Sequence, residues 1–296
     1  MAQVTLPSGI TIEYEKHGSG EPLLLVMGLA GQLIDWPAEF VERLVEAGFE
    51  VVVYDNRDIG LSTKTDWEPP SRLKSIASMI LRRPVKDVGY TIDDMADDGA
   101  QLMDALGYDS MHVVGMSMGG MISQALTINH PEKVRSLCSV MSNTGDRKNG
   151  GIAPKLIKAM GLPKPPTKET AVEEGLKLWQ HISGDHFDAD ETRRRVEVAM
   201  ERSWSPDGVM RQTAAIAGSA DRTEGLRKVK VPTLVIHGLK DLLVVPSGGT
   251  ATAAAVPGCR LLMFPDMGHN LPEPRQDEMV AAIVRNTLRA STGVSV

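Results

Sequence analysis

The sequence predicts an α/β fold: a mostly parallel central sheet flanked by helices, with a helical cap inserted after the fourth buried strand. Three observations predict it. Short, wholly apolar runs of strand length alternate with helical segments along most of the 296 residues. Such alternation builds a parallel sheet covered on both faces, because parallel neighbours are joined by crossovers that carry helices. Between about Asn143 and Ser205 the alternation stops and only helical periodicity remains. Finally, the stretch "VVGMSMGG" sets a serine between glycines at the end of an apolar run.

The elements follow in order. "QVTLPSGITIEYEKHG" alternates as an antiparallel hairpin does, with "PSG" as its turn. "PLLLVMG" is a fully apolar strand, and "PAEFVERLVEAG" a helix ending at Gly48. "FEVVVYDNRDIG" is a second buried strand running into a polar turn. "TIDDMADDGAQLMDALG" is a helix with Thr91 as N-cap and Gly107 as stop. "SMHVVGMSMGG" and "MISQALTINHP" make the third buried strand and its helix, with His130 at the helix C-terminus. "VRSLCSVMS", "VPTLVIHG" and "CRLLMFPDMG" are three more strands, and "DEMVAAIVRNTLRA" is the closing helix.

Two segments interrupt this order. "APKLIKAM", "KETAVEEGLKLWQHI" and "DADETRRRVEVAMERSW" form the cap, which gives a core of residues 1–143 and 206–296 around a cap of 144–205. A smaller insertion over 66–90 carries a helix with Leu73, Ile76, Ala77 and Ile80 on one face and Arg72, Lys74, Arg82 and Arg83 around it. It serves as a solvated helix on the body, a pocket entrance, a homodimer contact or a weak membrane-surface helix.

Composition bounds the function. Hydrophobic residues at 42% suffice for a buried core, and a net charge of −6 without a basic stripe excludes nucleic acid as an expected partner. No run approaches the roughly 18 apolar residues of a membrane span, so no stable membrane insertion is expected. The N-terminus lacks the basic start and apolar core of a secretory signal. Cys138 and Cys259 are expected as free thiols rather than a disulfide, and a cytoplasmic setting is the default.

In a parallel sheet, ligands collect beyond the carboxyl ends of the strands. Gly115 to Gly119 read G-x-S-x-G at a strand-to-helix junction, which presents Ser117 Oγ near the unpaired N–H groups of a helix start. A serine nucleophile needs a base, and the base needs an orienting carboxylate. His269, in the loop after the last strand, is the candidate base, with His237 given a structural role. Asp241, just beyond "VIHGLK", is the candidate acid, with Asp266 as its rival. The end of the fourth buried strand offers Asn143 instead of a carboxylate. The oxyanion donors are the backbone N–H groups of Met118 and of Leu29, where Gly28 permits close backbone approach.

Met27, Met116, Met118, Met121 and Met267 lie at or near these loops and suggest an adaptable apolar pocket. Met27, Gly28, Met116, Trp36, Trp179 and Trp204 are the candidate substrate-binding residues, with the tryptophans lining the entrance or anchoring the cap. His181 and His186 lie in the cap within reach of a substrate. No Cys/His cluster has metal-ligand spacing, so neither metal nor cofactor is expected.

"VMGLAG", "YDNRDIGLST", "GMSMGG", "HGLKD" and "DMGHNLP", in that order, make the chain resemble the α/β-hydrolase superfamily over nearly its whole length. "VMGLAGQLIDWP" and "YDNRDIGLST" look most like esterases of the aclacinomycin methylesterase type. The resemblance implies the α/β-hydrolase fold and a serine carboxylesterase with Ser117, Asp241 and His269 as its triad under a helical cap. A small-molecule ester or lactone is the implied substrate. There are departures: Met27 stands where histidine is commoner in the oxyanion loop, and Asp58 where the first glycine of D-x-R-G-x-G-x-S is commoner. The alternatives on the same residues are a lactonase, a C–C bond hydrolase and a cofactor-free haloperoxidase. A non-catalytic small-molecule receptor with an idle triad is a more distant one.

Overall fold

The computed structural model describes residues 1–71, 74, 78, 85–161 and 167–291. Eight strands form one sheet: β1 Ala2–Thr5, β2 Thr11–His17, β3 Glu21–Val26, β4 Phe49–Tyr54, β5 Met111–Met116, β6 Val134–Val140, β7 Thr233–Gly238 and β8 Arg260–Phe264. Their spatial order is β1-β2-β4-β3-β5-β6-β7-β8. The N-terminal hairpin pairs antiparallel, and β2 joins β4 antiparallel; every other pairing is parallel.

The helices are α1 Ala38–Glu46, α2 Ile92–Ala105, α3 Met118–Asn129, α4 Pro154–Met160, α5 Lys168–Ile182, α6 Ala189–Arg202, α7 Pro206–Gly218, α8 Thr223–Leu226, α9 Ser247–Ala255 and α10 Glu273–Ser291. Alternate residues of each central strand serve different faces, as strand geometry requires. Leu23, Leu25, Val51, Val53, Val114 and Val140 pack with α1 and α10 through Phe40, Leu44, Met279 and Ile283. Leu24, Val26, Val52 and Val113 pack on the other face with α2 and α3 through Met95, Leu102, Ile122 and Leu126. This explains why these strands read as unbroken apolar runs.

Helix ends follow the sequence signals. Thr91 caps α2, and the Thr91 N–H in turn donates to Asp94 Oδ2 at 2.7 Å, completing a capping box. His130 is the C-cap of α3 and lies 2.7 Å from Asp97 Oδ1. Helix α10 begins at Glu273, ahead of the expected "DEMVAAIVRNTLRA". The helices expected over the long insertion occur as α4, α5 and α6, between β6 and β7. Cys138 and Cys259 are free thiols. The helix expected at Leu73, Ile76, Ala77, Ile80, Arg72, Arg82 and Arg83 lies outside the described residues. Among those described, no helix is long and apolar enough to cross a membrane.

The strand order places the site. From β3 the chain crosses to β4 on one side, and β5 lies on the other side of β3. The loops after β3 and β5 therefore part at a topological switch point, where such sheets form their ligand crevice.

Candidate active site

Ser117 stands between β5 and α3 with φ 58° and ψ −119°, a backbone conformation that side-chain-bearing residues rarely adopt. The glycines around it are required by space. A Cβ on Gly115 would sit 2.1 Å from Gly119 O, and one on Gly119 1.9 Å from Val26 O. A Cβ on Gly120 would sit 2.6 Å from that of Ser142. The strand, the turn and the helix are pressed together, and Ser117 is lifted out at their junction. Its N–H donates to Val140 O at 2.9 Å, which fixes the turn to the neighbouring strand.

His269 and Asp241 arrive from the loops after β8 and β7. His269 Nε2 lies 2.9 Å from Ser117 Oγ, and His269 Nδ1 lies 2.7 Å from Asp241 Oδ2. Asp241 is buried, and Leu243 and Val244 N–H donate to its Oδ1, both at 2.9 Å. Burial pushes the Asp241 carboxyl up, but His269 and His237 beside it outweigh that and bring it down to about 2. An ionised carboxylate only accepts, so His269 Nδ1 carries a proton and donates to Asp241 Oδ2. Nε2 is then left to accept from the Ser117 hydroxyl.

Of the rival assignments, Asp266 parts from this group, whereas His237 stays beside it, with Nε2 3.5 Å from Asp241 Oδ2. Asp266 binds Arg275 at 2.7 Å and lies 2.9 Å from His186 Nε2, and those two partners hold its carboxyl well below the usual range. His237 is fully buried, and its Nε2 donates to Val244 O at 2.8 Å. A Cβ on Gly249 would meet its Nδ1 at 2.5 Å, so the ring is walled in. Asn143 turns its own loop, accepting from Gly145 N–H at 2.9 Å.

Gly28 lies directly against the serine: a Cβ there would be 3.1 Å from Ser117 Cβ and 3.6 Å from its Oγ. The Leu29 N–H follows it, and the Met118 N–H opens α3. Neither N–H has a protein acceptor among the described residues. Asn56 Nδ2 donates to Met27 O at 2.9 Å and Leu33 N–H to Asp55 Oδ1 at 2.7 Å, tying this loop to the one after β4. Asp58 takes φ 72°, the left-handed region where glycine is commoner, and its carboxylate accepts from Thr65 N–H at 2.7 Å.

The remaining candidates are distributed differently. Trp36 is only 4% exposed and stacks on Phe40 at 5.9 Å, within the core cluster that also holds Met27 and Met116. Met118, Met121 and Met267 are core residues, and Met27 and Met116 are nearly buried in the cluster beneath the loops. Trp179 packs with Leu156 and Ile182 of the insertion, and the Arg195 guanidinium lies 4.4 Å over its ring. Trp204 is half-buried after α6. No cluster of His, Cys, Asp and Glu that could hold a metal ion occurs among the described residues.

Sequence reasoning missed the buried groups that hold the loops from afar. Arg202 of α6 pairs with Asp55 at 2.8 Å, and Gln212 of α7 reaches Ala30 and Arg57. A polar residue on an amphipathic helix carries no signal of a distant buried partner.

Residues 21–275 match the family described as alpha/beta hydrolase fold. The chain belongs to this α/β-hydrolase family. A similar curated relative is the rhodomycin D methylesterase DnrP of Streptomyces peucetius, 30% identical, with 92% of each chain covered. Among solved structures, the α/β-hydrolase resembles a meta-cleavage product hydrolase of Pseudomonas fluorescens IP01 (TM-score 0.75, 18% identity, 98% of each chain). It also resembles an enol-lactonase of Burkholderia xenovorans LB400 (TM-score 0.70, 22% identity, 97% of this chain and 100% of that one). The α/β-hydrolase thus has an esterase among its relatives by sequence and shares its fold with a meta-cleavage product hydrolase and an enol-lactonase.

Proposed function

We propose that this α/β-hydrolase cleaves carboxylic esters of small to medium apolar substrates through an acyl-enzyme on Ser117. The observation that carries the reading is the continuous relay from Asp241 through His269 to Ser117 Oγ, with links of 2.7 and 2.9 Å. Ser117 Oγ attacks the ester carbonyl carbon as its proton passes to His269 Nε2. The oxyanion forms where the Leu29 and Met118 N–H groups are free to donate. Collapse breaks the carbon–alkoxide bond, and His269 gives its proton to the departing alcohol. Water then delivers a proton to His269 and its oxygen to the acyl carbon, which releases the acid and restores the Ser117 hydroxyl.

The relative named a methylesterase supports a small alcohol as leaving group. The nearly buried Met27 and Met116 beside the loops support apolar acyl partners. No metal or cofactor has a part in these steps.

The test is a panel of methyl esters, p-nitrophenyl esters and lactones, assayed with wild type and Ser117→Ala. Turnover should fall by at least about 10⁴-fold in the variant. A fluorophosphonate should leave a single adduct, on Ser117, visible by peptide mass spectrometry. Wild-type hydrolysis no faster than that of Ser117→Ala on every member would overturn the reading, and lactone turnover without ester turnover would move it to a lactonase.

A further inference from the structure

The loop after β3 contains three consecutive peptide units between Met27 and Ala30, and a different group holds each. The carbonyl of the Met27–Gly28 unit accepts from Asn56 Nδ2 at 2.9 Å. The carbonyl of the Gly28–Leu29 unit accepts from Gly31 N–H at 3.2 Å. The N–H of the Leu29–Ala30 unit donates to Gln212 Oε1 at 3.1 Å. The middle unit carries the Leu29 N–H, which serves as an oxyanion donor in the ester-hydrolase reading on which this inference rests.

The outer anchor at Ala30 is needed because of its backbone. Ala30 has φ 65°, a left-handed conformation that a residue with a Cβ avoids. Without a partner for its N–H, the Leu29–Ala30 unit relaxes by rotating. That rotation opens the tight turn closed by Gly31 and frees the unit that presents the Leu29 N–H. Gln212 is suited to prevent this. It is fully buried, and its other end donates from Nε2 to Arg57 O at 2.8 Å, so neither rotation nor solvent competes for Oε1. It comes from α7, so the oxyanion loop is pinned from outside its own segment of chain.

We infer that Gln212 is a positioning residue for the oxyanion site: it fixes the Leu29–Ala30 peptide and so aims the Leu29 N–H at the oxygen that develops negative charge. Gln212 contacts no reacting atom in this scheme. Its effect falls on the transition state and leaves substrate binding nearly untouched.

The experiment compares Gln212→Met, which keeps the bulk and removes the acceptor, with Gln212→Glu, which as the neutral acid offers both an acceptor for Ala30 N–H and a hydroxyl donor for Arg57 O. In Gln212→Met, kcat for p-nitrophenyl acetate should fall about 10- to 100-fold while KM changes less than about threefold. Affinity for a trifluoromethyl ketone, which forms an oxyanion on Ser117, should fall by the same factor. Gln212→Glu should recover most of both. Amide hydrogen exchange over residues 28–31 should quicken in Gln212→Met and return in Gln212→Glu.

Wild-type kcat and exchange in folded Gln212→Met would overturn the inference, as would a loss carried wholly by KM. Failure of the ester-hydrolase reading looks different: wild type would show no Ser117-dependent turnover. The exchange data would still decide whether Gln212 holds the loop.

Discussion

Asp55 organises more of the site than its lack of chemistry suggests. It is fully buried, and its two oxygens accept from Leu33 N–H at 2.7 Å and Leu61 N–H at 2.8 Å. Arg202 Nη1 stands 2.8 Å from Oδ2 and also donates to Gln32 Oε1 at 2.6 Å. Removing one partner of a buried ion pair leaves the other charge stranded. Arg202→Met should therefore lose about 3 kcal/mol, read from urea unfolding. His112 supplies a pH-dependent case. Burial, helped by Arg135, brings its imidazole down to about 4, and its Nδ1 is 2.8 Å from Ser136 Oγ. The unfolded chain takes up this proton below about 6.5, the folded one only near 4. Stability from this group is thus present above pH 6.5 and lost as pH falls toward 4. The unfolding midpoint should drop over that window, and His112→Asn should flatten the drop. At this scale Ser117, Asp241 and His269 were legible because each follows a recognisable strand. Asp55 with Arg202 was not, since pairing between distant loops and helices leaves no periodic trace.

The turn between β5 and α3 shows what an element can fix. Gly115 and Gly119 are constrained by backbone atoms, which cannot move aside as a flexible side chain can. Gly119→Ala would drive a Cβ to 1.9 Å from Val26 O, between α3 and β3. This variant should lose at least about 3 kcal/mol or fail to accumulate as folded protein. Gly9→Ala is the control: it has φ 85° and open space, so only backbone strain of about 1 kcal/mol is expected. Strands and helices were largely legible here, because burial on both faces makes β3 to β7 predominantly apolar. The start of α10 was not. Glu273 to Gln276 carry no apolar stripe, and a proline within the first helical turn reads equally well as loop. The depth of Trp36 was not legible either, since an aromatic after a glycine-rich loop gives no sign of whether it points inward.

Across the molecule, the segment after α5 is laced to the loop that carries His269. His269 N–H donates to Ile182 O at 2.5 Å, and Asp185 N–H to Asp266 O at 3.0 Å. Gly184 bridges Met267, and His186 meets Asp266 at 2.9 Å. Asp266 therefore belongs to this lacing, and the two aspartates should separate cleanly in an assay. Asp241→Asn should lower kcat about 10⁴-fold, because His269 loses the partner that sets its tautomer. Asp266→Asn should keep kcat within a few-fold on the same ester. Equal losses in the two variants would reassign the acid.

The link between His269 and Ser117 spans 152 positions of sequence. A ribosome making this chain completes the serine turn long before the histidine exists. Until β8 and the loop behind it have emerged and docked, Ser117 lacks the imidazole that its hydroxyl meets in the folded chain. The nascent protein should be chemically silent, and its reactivity toward a fluorophosphonate should switch on in one step as the last strand joins the sheet. Ribosome-bound chains arrested before and after that strand would show whether the hydrolase is born inert.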